Sequence, residues 1–380
     1  MDHHYLYDES NADRSFNYNL FKDHETVIIK SCTGTGRTTS IPKPCRRYMT
    51  EYRDGKLFTI ADKITLSDQH LGTLQQQNIN IIHYKNLNRF YNTDEDALTV
   101  CINSIRHNSE LNDDELNDYI VYIDEISSFL NYTHNSTLDR RLKDVHHNLI
   151  RIVKHAHKVI VSDAMIKDNT FEFLKHRSMD DMLFVEHKFL KFQGVPAVWV
   201  RDDKAFLDLL LEHCVDEQYF LFGADSCEVV TAFSHQCYDQ YPGENKDEQN
   251  ILITADTKFE LENASEQFVF YSPKIVTAVD FTIETKQDVF IYIKGHTIDP
   301  AASFQQTTRT RNIKTLYFYS ESINGESRYC SIEDLEESIN KTLSASKEFL
   351  DLCTYIDEDG NLMVVKNRFY KLYIYKEYVQ

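Results

Sequence analysis

A chain of 380 residues is long enough for two domains of about 150 to 190 residues, each burying its own core. With 42% hydrophobic and 27% charged residues it is globular material, and its 10 glycines and 6 prolines exclude collagen-like, linker-rich and turn-dense all-β designs. A formal net charge of −19 excludes a generic nucleic-acid coat, which works by a surplus of Lys and Arg, but leaves room for a local basic groove. Candidates for such a groove are Lys43, Arg46 and Arg47, and further on Arg140, Arg141 and Lys143.

Short runs rich in Val, Ile, Tyr and Phe alternate with polar or helix-patterned stretches, which predicts buried parallel strands covered by helices, an α/β fold throughout. In the first half these runs are VIIK from Val27, LFTIA from Leu57, INIIHY from Ile79, LTVCI from Leu98, YIVYIDE from Tyr119 and KVIVSDA from Lys158. Each ends in a polar cluster, and ligands of such sheets bind beyond the carboxyl ends of the strands. Over 191–200, KFQGVPAVWV breaks both periodicities with Gly194 and Pro196 and is the expected connection between lobes. A second series follows: YFLFGAD from Tyr219, NILITAD from Asn250, QFVFYSP from Gln267, DVFIYIKG from Asp288 and TLYFYS from Thr315. Helical spacing of apolar residues marks 204–215 and 227–238. From Ser331 a capping-box start predicts an amphipathic helix to about Cys353, and 357–360 reads as a turn. The final YKLYIYKEYVQ fits either a strand or a helix. The expected domains are 1–193, 194–320 and a C-terminal extension over 321–380.

The eight cysteines are scattered without a C-x-x-C pair, so buried thiols in a reducing compartment are expected, and no Cys/His pattern completes a metal site. No apolar run approaches the roughly 18 residues needed to span a bilayer, and the polar start lacks a signal-peptide core. The expectation is an intracellular protein, not secreted and without a membrane partner.

The most informative stretch is 27–40, VIIKSCTGTGRTTS, a strand running into a loop with the spacing of a phosphate cradle. Backbone N–H groups around Gly34, Thr35 and Gly36 would face phosphate oxygens, and the Thr38 hydroxyl would meet Mg²⁺. Ser31 stands where the pattern has its first glycine, and Arg37 where it has its lysine. An ordinary Gly-Thr turn between a strand and a helix is the plain alternative for this segment alone.

In VYIDEISSFL, from Val121, a hydrophobic strand ends in two adjacent carboxylates. Nucleotide hydrolysis needs two acidic roles: Asp124 would hold Mg²⁺, and Glu125 would orient and deprotonate the attacking water. Ser162 and Asp163 stand at another strand end, and Ser272, Thr277 and Asp280 lie beyond a strand of the second half. In SFQQTTRTRN, from Ser303, Gln305, Arg309 and Arg311 have the Q-x-x-x-R-x-R spacing of an arginine-finger motif, which would neutralise charge on a γ-phosphate.

In order, SCTGTGRTT, VYIDEIS, VSDA, YSPKIVTAVDF and QQTTRTR resemble motifs I, II, III, V and VI of superfamily 2 helicases. The resemblance extends to the herpesvirus-type replication origin-binding helicases of large DNA viruses, in which DE is followed by small residues and the fifth motif begins Ser-Pro. ITLSDQHLGTLQQ from Ile64 and VCINSI from Val100 look like that family's strand-tracking motifs. It covers roughly 20–320 and implies two RecA-like lobes with ATP and Mg²⁺ between them, ATP contacts from Ser31, Gly34–Thr38 and Asp280, and a nucleic-acid strand crossing both. This chain departs from the pattern at Arg37, and at Ala278 and Thr308, which replace glycines usual in motifs V and VI. A guanidinium keeps the positive charge but cannot copy the point charge of an ammonium, which predicts retained binding with reduced turnover.

Two readings follow. The first is an ATP-dependent DNA helicase or translocase of the origin-binding type, with DNA and other replication proteins as partners; retention of Asp124, Glu125, Arg309 and Arg311 favours it. The second is a degenerate helicase-like module that binds nucleotide or nucleic acid, or scaffolds a replication complex, without unwinding; Arg37 and the acidic total favour that. A non-helicase P-loop enzyme would need another account of the arginine motif.

Overall fold

The structure, a computed structural model, describes residues 4–7, 18–32, 37–52, 55–87, 95–105, 112–132, 142–178, 181–188, 192–244, 250–254, 268–272, 285–295, 300–308, 310, 312–321, 331, 333, 354–356 and 362–364. It divides into two compact units, one of Met1–Phe189 with Ser327–Gln380 and one of Leu190–Glu326.

The first unit is built on an eight-stranded sheet: β1 (His4–Tyr7), β2 (Thr26–Lys30), β3 (Lys56–Ala61), β4 (Ile81–His83), β5 (Ala97–Cys101), β6 (Tyr119–Asp124), β7 (Lys158–Asp163) and β8 (Met182–His187). The strand order is β1-β8-β2-β7-β6-β3-β5-β4, and every pairing is parallel. All residues of β6 and β7 are buried, as expected for central strands covered on both faces. Successive residues alternate between two apolar layers. On one face Ile28, Val121, Ile123, Val159 and Val161 pack with Val145, Leu149 and Ile152 of the helix Leu142–His155. On the other, Val27, Ile120, Tyr122 and Ile160 pack with Phe21, Cys45, Tyr48 and Leu74.

Two cations are buried at the foot of this sheet. The Lys158 ammonium donates to the carbonyls of Phe21, at 2.8 Å, and of His24, and lies over the Phe21 and Tyr48 rings. Burial pushes its pKa down to about 8. Arg177 donates to Thr26 Oγ1 at 3.0 Å and to the carbonyls of Val153 and Ala156 at 2.7 and 2.5 Å, where it satisfies the last turn of the helix Leu142–His155.

The second unit carries a six-stranded sheet of β9 (Ala197–Trp199), β10 (Phe220–Ala224), β11 (Asn250–Ile253), β12 (Phe268–Tyr271), β13 (Gln287–Ile293) and β14 (Ile313–Ser320). Its order is β11-β12-β10-β13-β14-β9, again parallel throughout. The core is aromatic: Phe206, Phe220, Phe222, Phe268, Phe270 and Phe290 are fully buried. Asp202 caps the helix Asp203–Val215 by accepting from Ala205 N at 2.8 Å. A two-stranded antiparallel ladder joins β15 (Thr354–Ile356) to β16 (Leu362–Val364).

All eleven strands expected from the apolar runs are present. Three further strands join these two sheets. β9 lies inside the segment read as a connection: three exposed residues after Pro196, with a burial pattern closer to a loop than to a strand. β8 is a short run in polar surroundings, and β1 lies in the polar start of the chain. The helix expected from Ser331 falls almost wholly outside the described residues, as do the turn over 357–360 and the final tyrosine-rich segment.

Candidate functional site

The carboxyl ends of β2, β7, β6 and β3 lie side by side and carry Ser31, Asp163, Asp124 and Asp62. Ser31, buried at the end of β2, donates its backbone N–H to the Asp163 carbonyl at 3.0 Å. Gly34, Thr35 and Gly36 lie outside the described residues. The chain re-enters as a helix at Arg37–Ser40, and the Arg37 side chain is not described.

Asp124 is 1% exposed and is held from both sides. Its Oδ2 accepts from Thr38 Oγ1 at 2.8 Å, which ties the helix after the loop to the end of β6. Its Oδ1 accepts from Ser162 Oγ at 2.5 Å and from the Glu125 N–H at 3.0 Å. A carboxylate only accepts, so the single Ser162 proton goes to Asp124, and the Tyr122 hydroxyl, 3.1 Å from Ser162 Oγ, is the donor in that pair. The result is a chain of oriented hydroxyls that fixes both carboxylate oxygens.

Glu125 follows with φ of 51°, the left-handed region, in a residue that has a Cβ. Asn78 and Glu217 share this conformation but sit just past helix C-termini, where it is ordinary. Glu125 instead opens a helix, its carbonyl accepting from Phe129 N at 2.9 Å. Strain of this kind costs about 1–3 kcal/mol and gathers at functional positions. Asp163 caps that helix, its Oδ2 accepting from Ser127 N at 2.6 Å, while its Oδ1 accepts from Met165 N at 2.8 Å in the loop after β7. Ser128 Oγ donates to Asp62 Oδ2 at 2.6 Å, linking the end of β3 to the same helix.

A hydroxyl and a carboxylate oxygen 2.8 Å apart are a hard-oxygen donor pair that suits Mg²⁺, an ion that keeps several waters and substrate oxygens. Thr38 and Asp124 fit it. Among the described residues no group of three or more His, Cys, Asp or Glu could hold a metal by itself, so the remaining ligands would come from solvent and phosphate.

In the second unit Gln305 lies on the helix Pro300–Thr307, half-buried, and its carbonyl accepts from Thr308 N at 3.2 Å. Its neighbour Gln306, fully buried, anchors the helix to the end of β12, accepting from Tyr271 Oη at 3.1 Å and donating to Ser272 O at 3.4 Å. Asp280, Arg309 and Arg311 lie outside the described residues, as do Thr277 and Ala278.

Of the basic clusters, Arg46 donates to Gln77 O at 2.7 Å, and Arg47 pairs with Glu51 at 3.1 Å and covers the Tyr18 ring. Both are engaged within the fold. Arg140, Arg141 and the Lys143 side chain lie outside the described residues. Among the described residues Cys32, Cys45, Cys101, Cys214, Cys227 and Cys237 form no disulfide. Among the described residues no helix is long and apolar enough to cross a membrane.

No family model matches the sequence, and no curated protein matches it. Solved structures do. The chain is similar to S. cerevisiae Dbp5 bound to RNA and ADP BeF3, with a TM-score of 0.54 and 11% identity, covering 93% of this chain and 89% of that one. It is similar to Mss116p bound to ssRNA and AMP-PNP, with a TM-score of 0.58 and 12% identity, covering 86% of this chain and 70% of that one. It is similar to the DUF1998 helicase MrfA bound to DNA, with a TM-score of 0.58 and 12% identity, covering 93% of this chain and 57% of that one. At such identities the likeness is one of fold. In fold the chain is two parallel-stranded α/β lobes that match the RecA-like lobes of these structures.

Proposed function

We propose that this chain is an ATP-dependent helicase or translocase acting on nucleic acid, with DNA and the replication origin-binding type as its specific form. The observation that carries the reading is the 2.8 Å hydrogen bond from Thr38 to Asp124, which joins the loop-bearing segment to the acidic strand end. Thr38 and Asp124 would hold Mg²⁺ with the nucleotide phosphates, the ion supplying charge neutralisation there. Glu125, strained at the mouth of the sheet, would take the proton of the attacking water. Ser31, Gly34–Thr38 and Asp280 would contact nucleotide, while Gln305, Arg309 and Arg311 would supply donors and positive charge from the second unit. Support for a nucleic-acid partner comes from the similar structures, in which Dbp5 holds RNA with ADP BeF3, Mss116p holds ssRNA with AMP-PNP, and MrfA holds DNA.

The test is strand displacement from a partial duplex, followed by release of a quenched fluorophore. The reading predicts ATP-dependent displacement that Glu125→Gln abolishes. Arg37 favours the second reading, a nucleotide- or nucleic-acid-binding module without unwinding. That reading holds if the native chain binds ATP, displaces nothing, and regains displacement on Arg37→Lys.

A further inference from the structure

The helix Ile64–Gln76 buries Leu66, Ser67, His70, Thr73 and Leu74 on one face. His70 is 2% exposed, and among the described residues neither of its ring nitrogens has a hydrogen-bond partner. Burying a polar ring without partners costs free energy that a methyl-bearing side chain would not. The ring lies against Tyr122, with centroids 5.4 Å apart, and Nε2 is 3.6 Å from Asp124 Oδ2. That is within ion-pair range but too long for a hydrogen bond. The same oxygen accepts from Thr38. A cavity of about 10 Å³ beside the ring, lined by Ile41, Cys45, Leu57 and Leu74 as well as Thr38 and Tyr122, is mostly apolar, so Asp124 Oδ2 is the charged acceptor nearest to Nε2, and a shift of roughly 0.8 Å would bring the two to bonding distance.

We infer that His70 is a positioning residue for Asp124: its Nε2–H closes on Oδ2 and holds the carboxylate when the Thr38 hydroxyl turns toward the metal. The inference rests on the reading of Thr38 and Asp124 as the magnesium-holding pair. Because a carboxylate only accepts, the nitrogen facing it must be the protonated one, and the neutral ring suffices. Ser162 and the Glu125 N–H already fix Oδ1. A donor on Oδ2 would leave Asp124 a single orientation, and outer-shell partners of this kind are worth 10- to 100-fold in metal affinity.

The experiment measures binding of a fluorescent ATP analogue to the full chain across a Mg²⁺ titration, and again in EDTA. The variants are His70→Ala and His70→Phe, which bracket the side-chain volume without a donor, and His70→Gln, which places an amide N–H near the position of Nε2. Thermal unfolding is followed in parallel, and only variants that keep the wild-type transition are scored. Both donorless variants are expected to raise the Mg²⁺ concentration at half-saturation about tenfold, with binding in EDTA unchanged and His70→Gln within about threefold of wild type. An unchanged Mg²⁺ half-saturation in the donorless variants, or a loss that is equal with and without metal, would overturn the role of His70 while leaving the nucleotide site standing. No analogue binding by the wild-type chain under either condition would overturn the site, and His70's role with it.

Discussion

Lys158 offers a quantitative test of how the first unit is held together. Its ammonium sits at the foot of β7, the strand whose other end carries Ser162 and Asp163, and burial lowers its pKa from 10.5 to about 8. Between those two values the unfolded chain binds more protons than the folded one, so stability rises with pH through that window and is lowest below it. Integrating the two titrations from about pH 7 to about pH 9.5 gives a gain of about 2 kcal/mol. Tyr18 and Tyr48, whose pKa values are raised, chiefly by burial, work in the opposite direction as the pH passes the ordinary tyrosine value. Removing the ammonium from beside the Tyr48 ring favours the neutral phenol further, so up to about pH 9.5 both tyrosines stay protonated in the folded state of either protein and the difference between wild type and Lys158→Met reports the lysine. Urea unfolding followed by circular dichroism at several pH values measures it. The wild type is expected to gain on the variant by about 2 kcal/mol across the window. Parallel pH profiles for the two proteins would refute a depressed Lys158 and the cost assigned to burying it.

Asp163→Asn replaces an acceptor-only carboxylate that serves two N–H groups with an amide that can accept at one, so unfolding free energy should fall by about 1–3 kcal/mol in urea. In the proposed enzyme the same change should also lower turnover, since Glu125 precedes the helix that Asp163 caps. Gly223→Ala would place a Cβ 2.5 Å from Tyr271 Cε2 and 3.0 Å from Ile291 Cδ1. Tyr271 is fully buried and anchors Gln306, so a loss of about 1–3 kcal/mol is expected in thermal unfolding. Arg37→Lys should raise steady-state ATP turnover, read by phosphate release, with little change in nucleotide affinity.

The strands legible in the sequence are those with continuous β-branched and aromatic runs, such as VYID and VIVS, because strands covered on both faces need no polar alternation. β9 was hidden for the opposite reason: an exposed three-residue edge next to a proline carries no burial signal. The acidic pair at 124 and 125 was visible through its place at a strand end, and Thr38 through its loop spacing. The hydrogen bonds that join them to their partners were not. Ser162 and Asp163 stood out only as a strand end in VSDA and an aspartate such as Asp62 has no spacing signature, while the bonds that all three make exist only once β3, β6 and β7 lie side by side. His70 left a usable trace. On helical period it falls four residues after Leu66 and four before Leu74, on the buried face, where a polar ring calls for a reason.

The most direct test of the account is steady-state ATP hydrolysis by the purified chain with Mg²⁺, alone and with single-stranded DNA or RNA, beside Glu125→Gln. Turnover is expected to rise with a single strand and to disappear in the variant. Absence of turnover with either nucleic acid, both in the native chain and in Arg37→Lys, would contradict it.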